Sequence, residues 1–175
     1  MKENHENAPT ASLLSVDNLR LAEQIGSRLA QRGWLLGTAE SCTGGGIATI
    51  FTEIPGSSQW FAGGLVTYSN AWKQKLLGVK DETLLRFGAV SAETVSEMLS
   101  GLLERHALQA GIAISGIAGP GGAVPGKPVG TVFMGLALGE QRKLWRGQFS
   151  GSRAEVRAKS ASDILQELWR LLQNR

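Results

Sequence analysis

The run Glu40-Ser41-Cys42-Thr43-Gly44-Gly45-Gly46 brings a carboxylate, a hydroxyl, a thiol and three glycines together. It follows Leu35-Leu36-Gly37-Thr38-Ala39, which reads as a short buried strand. A short helix is expected after it, from Ile47 to about Thr52. A serine at such a strand–turn–helix junction can present its hydroxyl beyond the strand end. The backbone N–H groups of Cys42, Thr43, Gly44 and Gly45 would then point toward a developing oxyanion. Glycine lets a substrate carbonyl approach the backbone closely. The layout resembles a nucleophile elbow, without the Gly-x-Ser-x-Gly spacing. Taken alone, the turn fits a phosphate cradle or a plain structural turn as well.

A serine nucleophile needs a base. The sequence has two histidines, His5 and His106. His5 falls in a polar N-terminal stretch. His106 ends an amphipathic helix beside Glu104 and Arg105, the setting of a solvated histidine. Lysine remains. Lys73 follows Tyr68-Ser69-Asn70-Ala71-Trp72 at the start of a helix. A neutral Lys73 could deprotonate Ser41, with the Tyr68 hydroxyl relaying or orienting the proton. Keeping a lysine neutral near pH 7 costs roughly 4–5 kcal/mol, so burial or a neighbouring cation must lower its pKa. By spacing alone, a surface lysine is the competing reading.

The second candidate region is Ser115-Gly116-Ile117-Ala118-Gly119-Pro120-Gly121-Gly122, continuing to Lys127-Pro128-Val129-Gly130. It follows a buried strand, so its N–H groups can gather at a strand end and bind an anion. Gly121, Gly126 and Lys127 have the spacing of a P-loop. Pro128 follows them, however, and offers no hydroxyl to magnesium. The next segment has a strand pattern and not a helical one. A nucleoside triphosphatase is therefore excluded. A surface loop with no ligand is the competing reading.

These regions need elements to position them. Leu19, Ala22, Ile25 and Leu29 form a helical stripe, capped by Ser15 or Asp17 and ended by Gly33. Leu65-Val66-Thr67-Tyr68 is strand-like. Helices are expected over 71–77, 81–86 and 91–106. Strands are expected over 111–115, 130–134 and 144–149. Ser152 and Glu155 have capping-box spacing and open the last helix. Strands alternating with helices predict an α/β layered domain. The strand from Leu144 is expected to be antiparallel, because only a tight connection precedes it.

Composition sets the outer bounds. The chain has 175 residues, 42% of them hydrophobic, enough for one domain with a real core. Residues 1–12 read as a loose tail and 13–175 as the domain. A net charge of +3 is too mild to argue for nucleic acid. One cysteine permits neither an intrachain disulfide nor a multi-cysteine zinc site. No apolar run approaches the roughly 20 residues of a membrane span. We expect a cytoplasmic homo-oligomer that needs no metal or other cofactor and binds neither nucleic acid nor membrane.

Six motifs together carry a resemblance. They are Ala39–Gly45, Gly56-Ser57-Ser58, Val66–Asn70 with Lys73, Gly88–Ser91, Ile114–Pro120 and Lys127–Val132. In this order they resemble the CinA carboxy-terminal domain family, from about Leu19 to the end. The chain departs from the family pattern at Gly63, at Ala71-Trp72 and at Ser150-Gly151-Ser152-Arg153. The resemblance implies a single-domain, three-layer α/β/α sandwich with a mixed sheet, like the anticodon-binding domain. It implies hydrolysis of nicotinamide mononucleotide to nicotinate mononucleotide and ammonia. It places the family's serine, tyrosine and lysine on Ser41, Tyr68 and Lys73. Gly116, Ala118, Gly119, Gly121 and Gly122 would hold the substrate, with Lys127, Arg153 and Arg157 recognising the phosphate. Two other readings stay open: an inactive interaction protein, and a sensor that binds a pyridine nucleotide without turnover.

Overall fold

The computed structural model describes residues 11–174. The expected tail lies outside them, apart from Ala11 and Ser12. The elements run α1 (Val16–Gln31), β1 (Leu36–Glu40), α2 (Gly46–Thr52), β2 (Phe61–Val66), α3 (Asn70–Leu77), α4 (Asp81–Phe87), α5 (Ala92–His106), β3 (Ala110–Gly116), β4 (Thr131–Leu138), β5 (Gln141–Gln148) and α6 (Arg153–Gln173). The five strands form one sheet in the order β2-β1-β3-β4-β5. β1 is parallel to both β2 and β3, while β3–β4 and β4–β5 are antiparallel. This is the mixed sheet of an α/β/α sandwich, and the last strand is antiparallel as expected.

The two faces of the sheet are built differently. Side chains alternate between faces along a strand. One face carries Leu36, Ile112, Ile114, Met134 and Leu136, packed against α1, α2 and α6. The other carries Ala39, Ala113 and Ala137, packed against α3, α4 and α5. Gly111 and Gly135 also face α5, where a Cβ would press on Leu103, Leu99 and Val95, and a Cβ on Gly37 would press on Leu108 just beyond it. Small residues on this face let α5 lie close to the sheet. α5 in turn carries α3, and Gly101 makes that contact possible. A Cβ on Gly101 would overlap the Leu77 carbonyl.

The expected caps at Ser15 and Ser152 are present, and Ser69 and Ser91 cap two further helices. Ser15, Ser69 and Ser91 accept N–H groups of Asn18, Trp72 and Thr94, and Ser152 and Glu155 complete the capping box of α6. β2 is where the observed boundaries differ most. It begins at Phe61, not Leu65, and ends before Thr67. No helix among the described residues is long and apolar enough to cross a membrane.

Candidate active site

Ser41 is the residue directly after β1, at the C-terminal edge of the parallel part of the sheet. Its backbone N–H donates to Ile114 at 3.0 Å. On the other side the Thr67 N–H donates to the Glu40 carbonyl at 2.8 Å. The strand end carrying the serine is therefore held from both neighbours.

Glu40 holds the turn beyond it. Its carboxylate is 1% exposed. It accepts from the Thr38 hydroxyl at 3.1 Å, the Ile47 N–H at 3.1 Å and the Ala48 N–H at 2.8 Å. The last two are N–H groups of the first turn of α2, which have no partner within the helix. A carboxylate there also faces the positive end of the helix. Glu40→Gln would set an amide NH2 against a backbone N–H and leave a buried donor unpaired. We expect it to lower the melting temperature by roughly 3–8 °C in a thermal denaturation scan. An unchanged melting temperature would show that the clamp contributes nothing.

Lys73 lies in the first turns of α3 and is 1% exposed. Helical side chains lean toward the N-terminus, and this one reaches back past the cap. Its Nζ is 2.7 Å from the Thr67 carbonyl, 3.3 Å from the Tyr68 carbonyl and 3.1 Å from Ser41 Oγ. A carbonyl can only accept, whereas a hydroxyl can accept or donate. A neutral amine has two N–H groups and one lone pair. It can satisfy both carbonyls and turn its lone pair to the Ser41 O–H, whereas the protonated form donates to Ser41 Oγ as well. Among the described residues, no carboxylate pairs with Lys73. Burial lowers its pKa from 10.5 to about 8. At pH 7 roughly one molecule in ten then carries the neutral amine, against about one in three thousand for an unperturbed lysine.

Cys42 is also buried, 5% exposed. Burial pushes its thiol up to about 12, with a smaller contribution from the Glu40 charge. It is an apolar neighbour of Ser41 and a poor thiolate.

The cavity over this pair has a volume of about 220 Å³ and is lined by Ser41, Cys42, Tyr68, Lys73, Ala89, Val90, Ser115, Gly116, Ala118 and Arg153. Arg153 spans its mouth, donating to the Gly119 carbonyl at 2.9 Å and to the Tyr68 hydroxyl at 2.9 Å.

Several expectations change. The Tyr68 hydroxyl is engaged by Arg153, and what Tyr68 offers Lys73 is its backbone carbonyl. The Gly44 N–H is not free for an oxyanion, because it closes the turn by donating to the Ser41 carbonyl at 3.0 Å. Thr43 and Gly45 do not line the cavity, and Gly45 caps α2 with a φ of 89°. Gly121, Gly122 and Lys127 are not among the lining residues either, and Lys127 donates to the Phe87 carbonyl at 2.8 Å. Arg157 lies behind the glycine turn, where it donates to the Thr43 carbonyl at 2.7 Å. Trp72, one helical position before the lysine, is exposed and does not enclose it. Ser115, the first residue of the second candidate region, lines the cavity, whereas Ala89 and Val90 were not singled out as site residues; their sequence signal is the Gly88–Ser91 motif.

Among the described residues, no group of three or more His, Cys, Asp or Glu side chains is placed to hold a metal ion. The arrangement sets a hydroxyl against an amine that burial shifts toward its neutral form, a pairing of the kind that acyl-transfer chemistry can use.

Residues 18–172 match the family model described as the CinA C-terminal domain, and the chain belongs to that family. Its relatives include the "Nicotinamide-nucleotide amidohydrolase PncC" of Shigella flexneri, 47% identical over 158 residues, 89% of this chain and 96% of that one. The protein of the same name from Escherichia coli strain K12 is 46% identical over the same shares. Among solved structures, the competence/damage inducible protein CihA from Agrobacterium tumefaciens superposes with a TM-score of 0.87 at 40% identity, over 91% of this chain and 98% of that one.

Proposed function

We propose that this chain hydrolyses the carboxamide of nicotinamide mononucleotide to the carboxylate, releasing ammonia. The observation that carries the chemistry is the 3.1 Å contact between Lys73 Nζ and Ser41 Oγ, with both remaining N–H positions of the amine occupied by carbonyls. The substrate is suggested by the relatives named above, each matched over nearly its whole length.

Ser41 Oγ attacks the carboxamide carbon while Lys73 takes its proton. The carbonyl oxygen becomes an oxyanion and meets the Cys42 N–H, on the residue beside Ser41 in the cavity wall. Lys73 then returns its proton to the departing nitrogen, and ammonia leaves. The ester on Ser41 is attacked by water, again with Lys73 as base. The carboxylate product departs and the serine regains its proton. Arg153, the cation at the cavity mouth, attracts the phosphate of the mononucleotide.

The test is ammonia release from nicotinamide mononucleotide beside free nicotinamide, after exhaustive chelation. We expect turnover of the mononucleotide without added metal and little turnover of the free amide. Well-folded protein that releases no ammonia from the mononucleotide would sink this reading.

A further inference from the structure

Ser115 is a second serine in the cavity wall, and it takes no part in the acyl transfer described above. The parallel register of β1 and β3 sets Glu40 against Ile114, and the Ser41 N–H still donates to the Ile114 carbonyl at 3.0 Å. Ser41 and Ser115 are therefore the next pair across the two strand ends, about 4.8 Å apart. Their side chains share one face of the sheet. Ile114 belongs to the core under α1, α2 and α6, whereas Ala39 and Ala113 belong to the core under α5. Alternation along the strands turns Ser41 and Ser115 to the α5 side. Their contacts agree with this. Ser41 Oγ meets Lys73 on α3, and Ser115 Oγ donates to the Ala89 carbonyl, shortly before α5, at 2.7 Å.

That donation fixes what Ser115 has left to offer. A hydroxyl has one proton and two lone pairs. The proton is held by Ala89, and no donor among the described residues meets the oxygen. The residue is 1% exposed, so a ligand reaches this oxygen through the cavity. Turning the proton to a ligand instead would take from the Ala89 carbonyl the donor it has. Ser115 is thus an unfilled acceptor one strand spacing from the nucleophile. The carbon that Ser41 attacks in a primary amide carries an oxygen, which needs donors, and an NH2 group, which needs an acceptor. We propose that Ser115 accepts a hydrogen bond from the carboxamide NH2 group, and so selects a primary amide over an acyl group of the same shape that lacks N–H. The proposal rests on the amidase reading of Ser41. A nitrogen about 3 Å from each serine oxygen fits between two strands of this spacing. Holding the amide by its nitrogen leaves its carbonyl oxygen for the Cys42 N–H.

The test compares nicotinamide mononucleotide with the mononucleotide that carries a methyl ketone in place of the carboxamide. The two differ only in CH3 for NH2, with the same charge, ring and phosphate. Binding is measured by calorimetry in Ser41→Ala, which has no hydroxyl to attack either compound. We expect Ser41→Ala to hold the amide at least about fivefold more tightly than the ketone, because the ketone leaves the Ser115 acceptor unpaired. Adding Ser115→Ala should bring the two affinities to within about twofold, by weakening the amide more than the ketone. A substitution that merely displaced Ala89 would weaken both ligands alike and leave their ratio unchanged. A ratio unchanged by Ser115→Ala would therefore overturn the proposal. So would equal affinities in Ser41→Ala, a result that needs no substitution at Ser115. Wild-type protein that releases no ammonia from nicotinamide mononucleotide would instead remove the amidase reading, and this role of Ser115 with it.

Discussion

Ser41→Ala is expected to reduce ammonia release by at least about 10³-fold, while Cys42→Ala keeps most of it. The two residues are adjacent, both are buried and both line the cavity. A thiol is intrinsically the better nucleophile, so the contrast is informative. Its reactive form is the thiolate, however. With the pKa pushed up to about 12, thiolate is present at pH 7 in roughly one molecule in 10⁵. Among the described residues no base hydrogen-bonds to the sulfur, whereas Ser41 Oγ is in contact with Lys73. Cys42→Ala also trims the core around α1 and α2, so a modest loss of stability is expected with it. The measurement is ammonia release by each purified variant, with thermal melting as the control for folding. A Cys42→Ala enzyme without turnover beside an active Ser41→Ala enzyme would reverse the assignment.

The second large effect is at Lys73. An arginine keeps the positive charge and stays protonated at any working pH. If Lys73 acts as a base, Lys73→Arg should lose kcat nearly as far as Lys73→Ala, by about 10²–10⁴-fold, while substrate still binds. The sign of the pH dependence follows from the direction of the shift. Burial lowers the pKa to about 8, and the active form is the neutral amine. The rate should therefore be low at pH 6, rise through about pH 8 and level above it. An unperturbed lysine would place that limb more than two units higher. The same shift makes folding less favourable at neutral pH than above pH 10.5, since the unfolded chain binds a proton that the folded site resists. A Lys73→Arg enzyme with near-normal kcat, or a flat profile between pH 6 and 9, would leave another group or a bound water as the base.

Much of this was legible before the fold was known, because the strongest signals are local. Ser15 and Ser152 cap helices through their own neighbours, so the cap residue and the helix start are read together. The serine turn is likewise a strand end and a helix start in one short segment. β2 was harder. Ala62-Gly63-Gly64 has poor intrinsic strand preference, and the segment is a strand because it pairs with β1. Gly64 is required there for a tertiary reason, since a Cβ would come within 2.6 Å of Thr38 Oγ1 and 2.9 Å of Ala48. Nothing in the neighbouring residues announces that contact.

The destinations of long side chains were the least readable part of the site. Spacing brings Lys127 close to a glycine loop, but does not say which carbonyl its ammonium will meet. It meets Phe87, 40 positions away. Arg153 and Arg157 are one helical turn apart, yet one reaches Tyr68 and the other the back of the glycine turn at Thr43. The Tyr68 hydroxyl was expected at the lysine because the two residues are close in sequence. In the folded chain the Tyr68 atom within reach of Lys73 is its carbonyl, which every residue type possesses, while the hydroxyl accepts from Arg153.

The contact between α3 and α5 has a mechanical meaning for the reaction. Lys73 rides on α3, and α3 rests on α5 at Gly101, where any side chain would overlap the Leu77 carbonyl. The height at which one helix lies on another therefore gauges the reach of the Lys73 amine toward the Ser41 hydroxyl. Residue 101 touches neither reacting group, yet it works as the shim beneath a lever. A methyl inserted there would meet the Leu77 carbonyl in hard overlap, and relieving it would move the lever arm by far more than the few tenths of an ångström that a hydrogen bond tolerates. Tolerance to change at this packed point thus answers to two demands at once, the hard contact between the helices and the aim of one amine at one hydroxyl.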